Sequence, residues 1–410
     1  MSLHLFDAFG IELEYMIVDR TSLDVRPISD HVLKDEQGEP TSDVEYGSLS
    51  WSNELTHHVI ELKTNGPAED LTPLAEKFQE SVREINRQLA SANARLLPTA
   101  MHPWMDPNRE MRIWPYEYHV VYETFDKIFD CRGHGWANLQ SMHINLPFTG
   151  DEEFGRLHAA IRLILPFLPG LAASSPFIEG QASGQADSRL DVYRRNAKGV
   201  ASVTGRVIPE PVFDFESYDR EIFQPMFRDI APLDPDGVLR NEFLNARGAI
   251  ARFSRGAIEI RVIDLQECPQ ADLAVAALTI EVLKLLVAER WTSTTKQQQV
   301  SIDSLEPILL AAIKQGDEAV VHDSNVLRHF GLSSAPVTVS ELWRSLYQTV
   351  CRENPNFSSQ YGQAMETILN HGCLARRILK LTGPTPDRET LHRVYERLAE
   401  SLEQGSMLVP

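Results

Sequence analysis

The chain has 410 residues, 43% of them apolar and 24% charged, with a formal net charge of −19. That is enough apolar material for one large domain or two ordinary ones, and it excludes a disordered or fibrous chain. The acidic balance speaks against nucleic acid or an anionic membrane as partner, and any phosphate-bearing ligand would have to be met by metal ions or a focused set of arginines.

The first eleven residues are mildly apolar but carry no basic segment, and Glu12 and Glu14 follow at once, so no signal peptide is expected. Phe9 to Asp19 alternates as a strand, with Ile11, Leu13, Tyr15 and Ile17 on one face and Glu12, Glu14 and Met16 on the other. Thr21 to Ser52 reads as loop. A second strand, His57 to Thr64, stops at Asn65-Gly66-Pro67. Leu71 to Ala94 has helical spacing, Leu139 to Phe148 alternates again, and Glu152 to Leu165 predicts a helix ended near Pro166. The longest uncharged run, Leu163 to Ile178, holds Pro166, Pro169 and Pro176 and is too short to span a bilayer.

Gln181 to Arg255 is rich in Gly, Ser, Asp and Pro and predicts long loops of the kind that form lids or binding loops. Ala257 to Asp264 is a strand and Ala271 to Arg290 an apolar helix. After a polar patch at Thr292 to Gln299 the chain reads helical to its end, in Leu342 to Val350, Ala364 to Leu381 and Glu389 to Glu403. Cys131, Cys268, Cys351 and Cys373 lie far apart, which fits reduced thiols and a soluble, cytoplasmic protein. The order of strands then helices favours an α+β fold. We place a core at residues 1–290 and a helical C-terminal region, packed on it, at 291–410.

Common signatures for nucleotides, zinc proteases and serine hydrolases are missing. Four strands instead carry polar residues on one face. Glu12 and Glu14 leave the same face roughly 7 Å apart, a spacing that serves neighbouring metal ions but equally suits a wet strand face. Val59, Glu61 and Lys63 share a face, with Glu54 upstream, and a solvated edge strand would look the same. His57 and His58 are adjacent and point oppositely; surface positions are the ordinary place for both. Ser141, His143 and Asn145 form a polar row opposite Met142, Ile144 and Leu146; a packed sheet with a satisfied histidine is the alternative. Ser141 and His143 lie too close along one strand for a triad. Glu259 and Arg261 share a face, either as a metal ligand beside a phosphate-binding fork or as a structural ion pair. Arg240, Arg247, Arg252 and Arg255 just upstream are an unusual concentration in so acidic a chain.

Five segments in order, Gly10-Ile-Glu-Leu-Glu14, the Glu54 to Glu61 spacing, Ser141-Met-His-Ile-Asn145, Ala173-Ser-Ser-Pro-Phe177 and Gly256-Ala-Ile-Glu-Ile-Arg-Val-Ile-Asp264, make the chain resemble the glutamate–cysteine ligase family from about residue 8 to 290. The resemblance implies a curved antiparallel sheet of glutamine-synthetase-like type flanked by helices. It further implies metal ligands at Glu12, Glu14, Glu54, Glu61, His143 and Glu259, with Glu54 at a position the family often fills with aspartate. Arg261, beside Glu259, would bind phosphate and share the catalytic role, with Arg252 and Arg255 also on the nucleotide. Arg189, Asn145 and Ser141 would meet the substrates. The cofactors implied are ATP and Mg²⁺, with Mn²⁺ as the other ion, and the activity is joining glutamate to an amine such as cysteine through an acyl phosphate, as in glutathione biosynthesis. Two further classes fit the same polar face, a metal-dependent amide hydrolase and a non-catalytic sensor, and another amine in place of cysteine is the nearest variant.

Overall fold

The computed structural model describes residues 3–334 and 336–410. Its centre is an eight-stranded antiparallel sheet of β1 (Gly10–Asp19), β2 (Asp43–Tyr46), β3 (Leu49–Asn53), β4 (Val59–Thr64), β5 (Ala94–Leu97), β6 (Ser141–Pro147), β7 (Ala249–Arg252) and β8 (Ala257–Asp264). The strand order is β2-β3-β4-β1-β6-β8-β7, with β5 pairing the C-terminal half of β1. The longer helices are α1 (Leu74–Leu89), α2 (His119–Phe129), α3 (Gly150–Ile164), α4 (Pro269–Val287), α5 (Ile302–Gln315), α6 (Val339–Glu353), α7 (Phe357–His371), α8 (Leu374–Thr382) and α9 (Arg388–Gln404).

The period-two pattern decides which sheet face is covered. Ile11, Leu13, Tyr15, Ile60, Leu62, Met142, Ile144, Ile258 and Ile260 are fully buried and join one continuous core with α1, α3 and α4. The core also takes in Leu309, Trp343, Ile368 and Leu402 from the C-terminal helices. Helix α4 is apolar on nearly every side and sits in the middle of this layer, as an all-round hydrophobic helix must. A buried ion pair pins α8: Arg377 and Glu267 are both sealed from solvent, and Arg377 also donates to the Leu408 carbonyl at 2.8 Å.

Four local departures from the periodicity have physical causes. The stretch expected as loop contains the β2–β3 hairpin, which turns at Gly47 in the left-handed region (φ 64°). The first long helix stops at Leu89, and left-handed Asn93 (φ 52°) releases the chain into β5. Past Ile164, Pro166 tightens one turn, and a short helix, Leu168–Ala172, continues. The span from Ala364 to Leu381 is two helices, because Gly372 (φ 91°) ends α7 before α8 begins.

Three histidines are sealed in this framework, each donating to a carbonyl: His58 to Ala137 at 2.8 Å, His102 to Leu23 at 2.7 Å and His158 to Val212 at 2.7 Å. His58 is thus a core residue and not the surface histidine expected, while His57 faces Asp30 at 2.8 Å. Burial pushes His58 and His102 down to about 4 and His158 down to about 3. A histidine depressed in the folded state stabilises above its unfolded pKa and loses that contribution as pH falls towards its folded value. The window here runs from pH 6.5 down through about 4 for His58 and His102 and through about 3 for His158. We expect each to give up about 1–2 kcal/mol between pH 6.5 and 5. Denaturant melts at pH 7 and pH 5 should show a shallower pH slope for His158→Gln than for wild type; an unchanged slope removes His158 from the acid response.

Candidate active site

The face of the sheet away from α1, α3 and α4 is where the polar residues gather, and the strand register sets their pairing. Glu12 stands opposite His143, Glu14 opposite Glu61, and Glu259 opposite Asn145. His143 is the hub. Its Nδ1 lies 2.7 Å from Glu12 Oε2 and 3.8 Å from Glu259 Oε1, and its Nε2 lies 3.6 Å from Glu14 Oε1. Ser141 donates from its backbone N–H at 2.6 Å and its hydroxyl at 2.9 Å to one Glu14 oxygen, and Asn145 donates to Glu12 at 2.9 Å. On the other flank Ser52 donates to Glu61 at 2.9 Å, and Lys63 reaches Ser52 at 2.7 Å and Glu61 at 3.2 Å.

Among the described residues, two groups have donor atoms close enough to share an ion, Glu12–His143–Glu259 and Glu14–Glu61–His143. The set is rich in carboxylate oxygen with one imidazole, which suits Mg²⁺ or Mn²⁺. Its electrostatics also ask for a cation. Burial, with Glu61 and Glu14 nearby, holds the Glu54 carboxyl well above its usual range, and burial with Glu12 pushes Glu61 up to about 7. Glu12 goes the other way: burial would raise it, but the bond and charge of His143, with Arg252 and Arg261, bring it down to about 2. His143 is itself raised, since Glu14 and Glu12 outweigh the cost of burying its charge. Glu54 stands outside both groups and lines an adjoining cavity instead.

Glu259 receives Arg252 Nε at 2.9 Å, and Arg261 Nε lies 3.0 Å from its other oxygen without the alignment of a hydrogen bond. Of the other arginines upstream, Arg247 forms a two-point pair with Glu210 at 2.6 and 2.7 Å, Arg240 points to solvent, and Arg255 is exposed at a cavity rim. Arg189 is buried, with Nε 2.6 Å from Asp264 Oδ1 and its Nη2 without a partner.

Asp264 was not singled out, because strict alternation counts it on the apolar face with Ile258, Ile260 and Val262. The ladder between β8 and β6 slips between Ile260 and Ile263, so that Asp264 pairs with Ser141 and joins the polar face. Arg261 occupies the bulge, donating its backbone N–H to Gly248 at 2.9 Å. Only the bulge makes this parity change, and no sequence signal marks it. Asp264 also accepts from Ser174 N–H at 2.8 Å and Ser175 Oγ at 2.9 Å, which ties in the Ala173 to Phe177 segment.

Two cavities flank the acid cluster. One of about 740 Å³ has Glu12, Lys63, Asn145, Arg252 and Arg255 on its walls, with Phe9 and Phe148. The other, of about 370 Å³, meets Glu14, Glu54, Ser141, His143, Arg189 and Arg261 on the sheet side and Tyr122, Phe125, Trp136 and Phe243 opposite. Arg252 reaches both. The two substrate-side candidates Arg189 and Ser141 thus fall in the smaller cavity, and Asn145 in the larger. The Gln181 to Asn245 region contributes Tyr193, Asn196, Phe243 and Leu244 to the smaller cavity; the α2 wall was not foreseen from sequence.

Residues 8–397 match the sequence profile of Glutamate-cysteine ligase family 2. An uncharacterized protein of Archaeoglobus fulgidus is 30% identical over 398 residues, covering 97% of this chain and 99% of its own. The crystal structure of a glutamate–cysteine ligase from Francisella tularensis in complex with AMP superposes with a TM-score of 0.63 at 12% identity, covering 96% of this chain and 88% of that one. A bifunctional glutathione synthetase from Pasteurella multocida gives 0.55 at 13% identity, covering 97% of this chain and 52% of the other. At such identities the solved structures speak for the fold.

Asp264 offers a test of this architecture. Asp264→Asn keeps the side-chain shape but leaves the Arg189 charge buried and uncompensated, which should cost about 3 kcal/mol. Arg189→Met with Asp264→Leu removes both charges and should recover most of that loss in denaturant melts. If Asp264→Asn melts like wild type, the pair does not hold this wall together.

Proposed function

The chain belongs to Glutamate-cysteine ligase family 2 and is an ATP-dependent ligase of that type, and on this premise we propose that it joins the side-chain carboxylate of glutamate to an amine through an acyl phosphate. The observation that carries the reading is the placement of two carboxylate–imidazole groups between two cavities that share Arg252. ATP takes the larger cavity, where Lys63, Arg252 and Arg255 meet its phosphates. The likeness to a ligase bound to AMP supports nucleotide use. Glutamate takes the smaller one, with a carboxylate on the unpartnered Nη2 of Arg189.

A carboxylate does not expel oxide, so an amine cannot displace it directly. Attack of a carboxylate oxygen on the γ-phosphorus releases ADP and makes the carbon an electrophile with phosphate as its leaving group. The amine nitrogen then bonds to that carbon and inorganic phosphate departs. Glu12, Glu14, Glu61, His143 and Glu259 would hold Mg²⁺ or Mn²⁺, which would supply positive charge against the phosphates. Arg261 and Arg252, both oriented by Glu259, present N–H groups towards the transferring phosphoryl, where positioned charge does most of the work. The aromatic wall opposite keeps water from the acyl phosphate. Cysteine is the acceptor that the family name supplies. A different amine is the second reading, and the same aromatic wall favours it.

Phosphate release from ATP with glutamate and an amine panel tests the activity, and two variants separate the roles on β8. Glu259→Gln should move the metal requirement to higher concentration while turnover falls. Arg261→Lys should slow turnover by about 10²–10³, the scale of one lost preorganised donor, with its metal dependence nearly unmoved. Folded variants that both retain wild-type rates would exclude β8 from the reaction, and activity surviving excess chelator would exclude the metal.

A further inference from the structure

The smaller cavity has two unlike walls, and the contrast bears on the acceptor. The sheet side supplies charge and hydrogen bonds through Glu14, Ser141, His143, Arg189, Arg252 and Arg261. The facing side is a raft of rings. Phe125 lies 5.5 Å from Trp136 and 6.5 Å from Phe243 between ring centroids, and Tyr122 stands beside them on α2. Helix α2 has no fully buried residue, and Tyr122, Phe125, Trp136 and Phe243 are all only partly covered. All four line the cavity, where a bound ligand can remove apolar area from water.

The charged groups are already committed to the acid and the phosphates. Arg252 and Arg261 are paired with Glu259, and Arg189 offers one buried nitrogen without a partner. The ring wall carries no cation for a second carboxylate. The Tyr122 hydroxyl already accepts from Asn53 at 3.0 Å. A thiol, one sulfur long, would cover little of such a wall.

Resting on the ligase reading above, we infer that the acceptor is an amine bearing an aromatic or large branched apolar group, which packs under Phe125, Trp136 and Phe243 while its nitrogen faces the sheet. The competing occupant of a ring-lined recess is the adenine base. The larger cavity argues against it, having twice the volume, three cations for the phosphates, and Phe9 and Phe148 for the base.

Two measurements on the full chain test this, one independent of turnover. Thermal shift with phenethylamine and with ethylamine, added to enzyme alone, reads binding. Phenethylamine should stabilise at concentrations about tenfold lower, and Phe125→Ala should abolish that advantage. Trp136→Leu serves if Phe125→Ala melts abnormally without ligand. Phosphate release with ATP, Mg²⁺ and glutamate should then give kcat/KM about tenfold or more higher for phenylalanine or phenethylamine than for cysteine or alanine. Equal binding of the two amines, or cysteine as the best acceptor, overturns the inference. So does a ring-wall variant that loses affinity for a non-hydrolysable ATP analogue, which would put the base there. Selective phenethylamine binding with no phosphate release for any amine would instead uphold the pocket and overturn the ligase activity it rests on.

Discussion

Like charges held together out of water are the constraint on which this structure turns. Glu14 and Glu61 face each other directly across β1 and β4, an arrangement that destabilises a sheet, and Glu12, Glu54 and Glu259 crowd the same surface. Against these five carboxylates the protein sets Lys63, Arg252 and Arg261, with His143 lodged between the two acid groups. The balance is left negative. The raised carboxyls of Glu54 and Glu61 register the strain, and a bound cation would relieve it.

The rest of the fold supplies the rigidity that such a surface requires. Each charged residue on β1, β6 and β8 alternates with an aliphatic one sealed against α1, α3 and α4, so moving a carboxylate means moving a core residue. The ladder fixes spacing along and across strands, and the core fixes which way each side chain points. Helices from both halves of the chain feed that one core, with Leu402 of α9 and Phe78 of α1 among its members. On the opposite side a second, smaller cluster takes in Met16, Val18 and Leu97 with Leu374, Ile378, Tyr395 and Leu398, and the two cavities adjoin the acidic remainder of that face.

Much of this surface was legible because alternation is a strong signal. Glu12 and Glu14, then Ser141, His143 and Asn145, then Glu259 all fall on the face that period two assigns them, and the register brings them together. Alternation failed where the backbone leaves the regular ladder. Asp264 was hidden by the slip after Ile260, and the β2–β3 hairpin lay in a stretch whose glycine and acidic residues read as loop. Strand β5 went unassigned, with the expected helix running on to Ala94, because Ala94-Arg-Leu-Leu97 suits either state and left-handed Asn93 marks the break. The aromatic wall was invisible for another reason. Tyr122, Trp136 and Phe243 come from three distant segments, and local periodicity carries no information about which loops will meet.

The slip in β8 makes one strand legible in two frames. Up to Ile260 the odd-numbered positions face the acid cluster; by Asp264 the even-numbered one does. The extra residue lets this strand hold both Arg261 and Val262 between Ile260 and Ile263 while Asp264 still shares the face of Glu259 and reaches Arg189. Grafting this centre onto another sheet would accordingly mean copying a frameshift as well as a list of side chains. A one-residue deletion within Arg261–Val262 would restore regular pleating, keep Asp264 opposite Ser141 on the polar face, and cost the strand one of the two side chains now held in the slip.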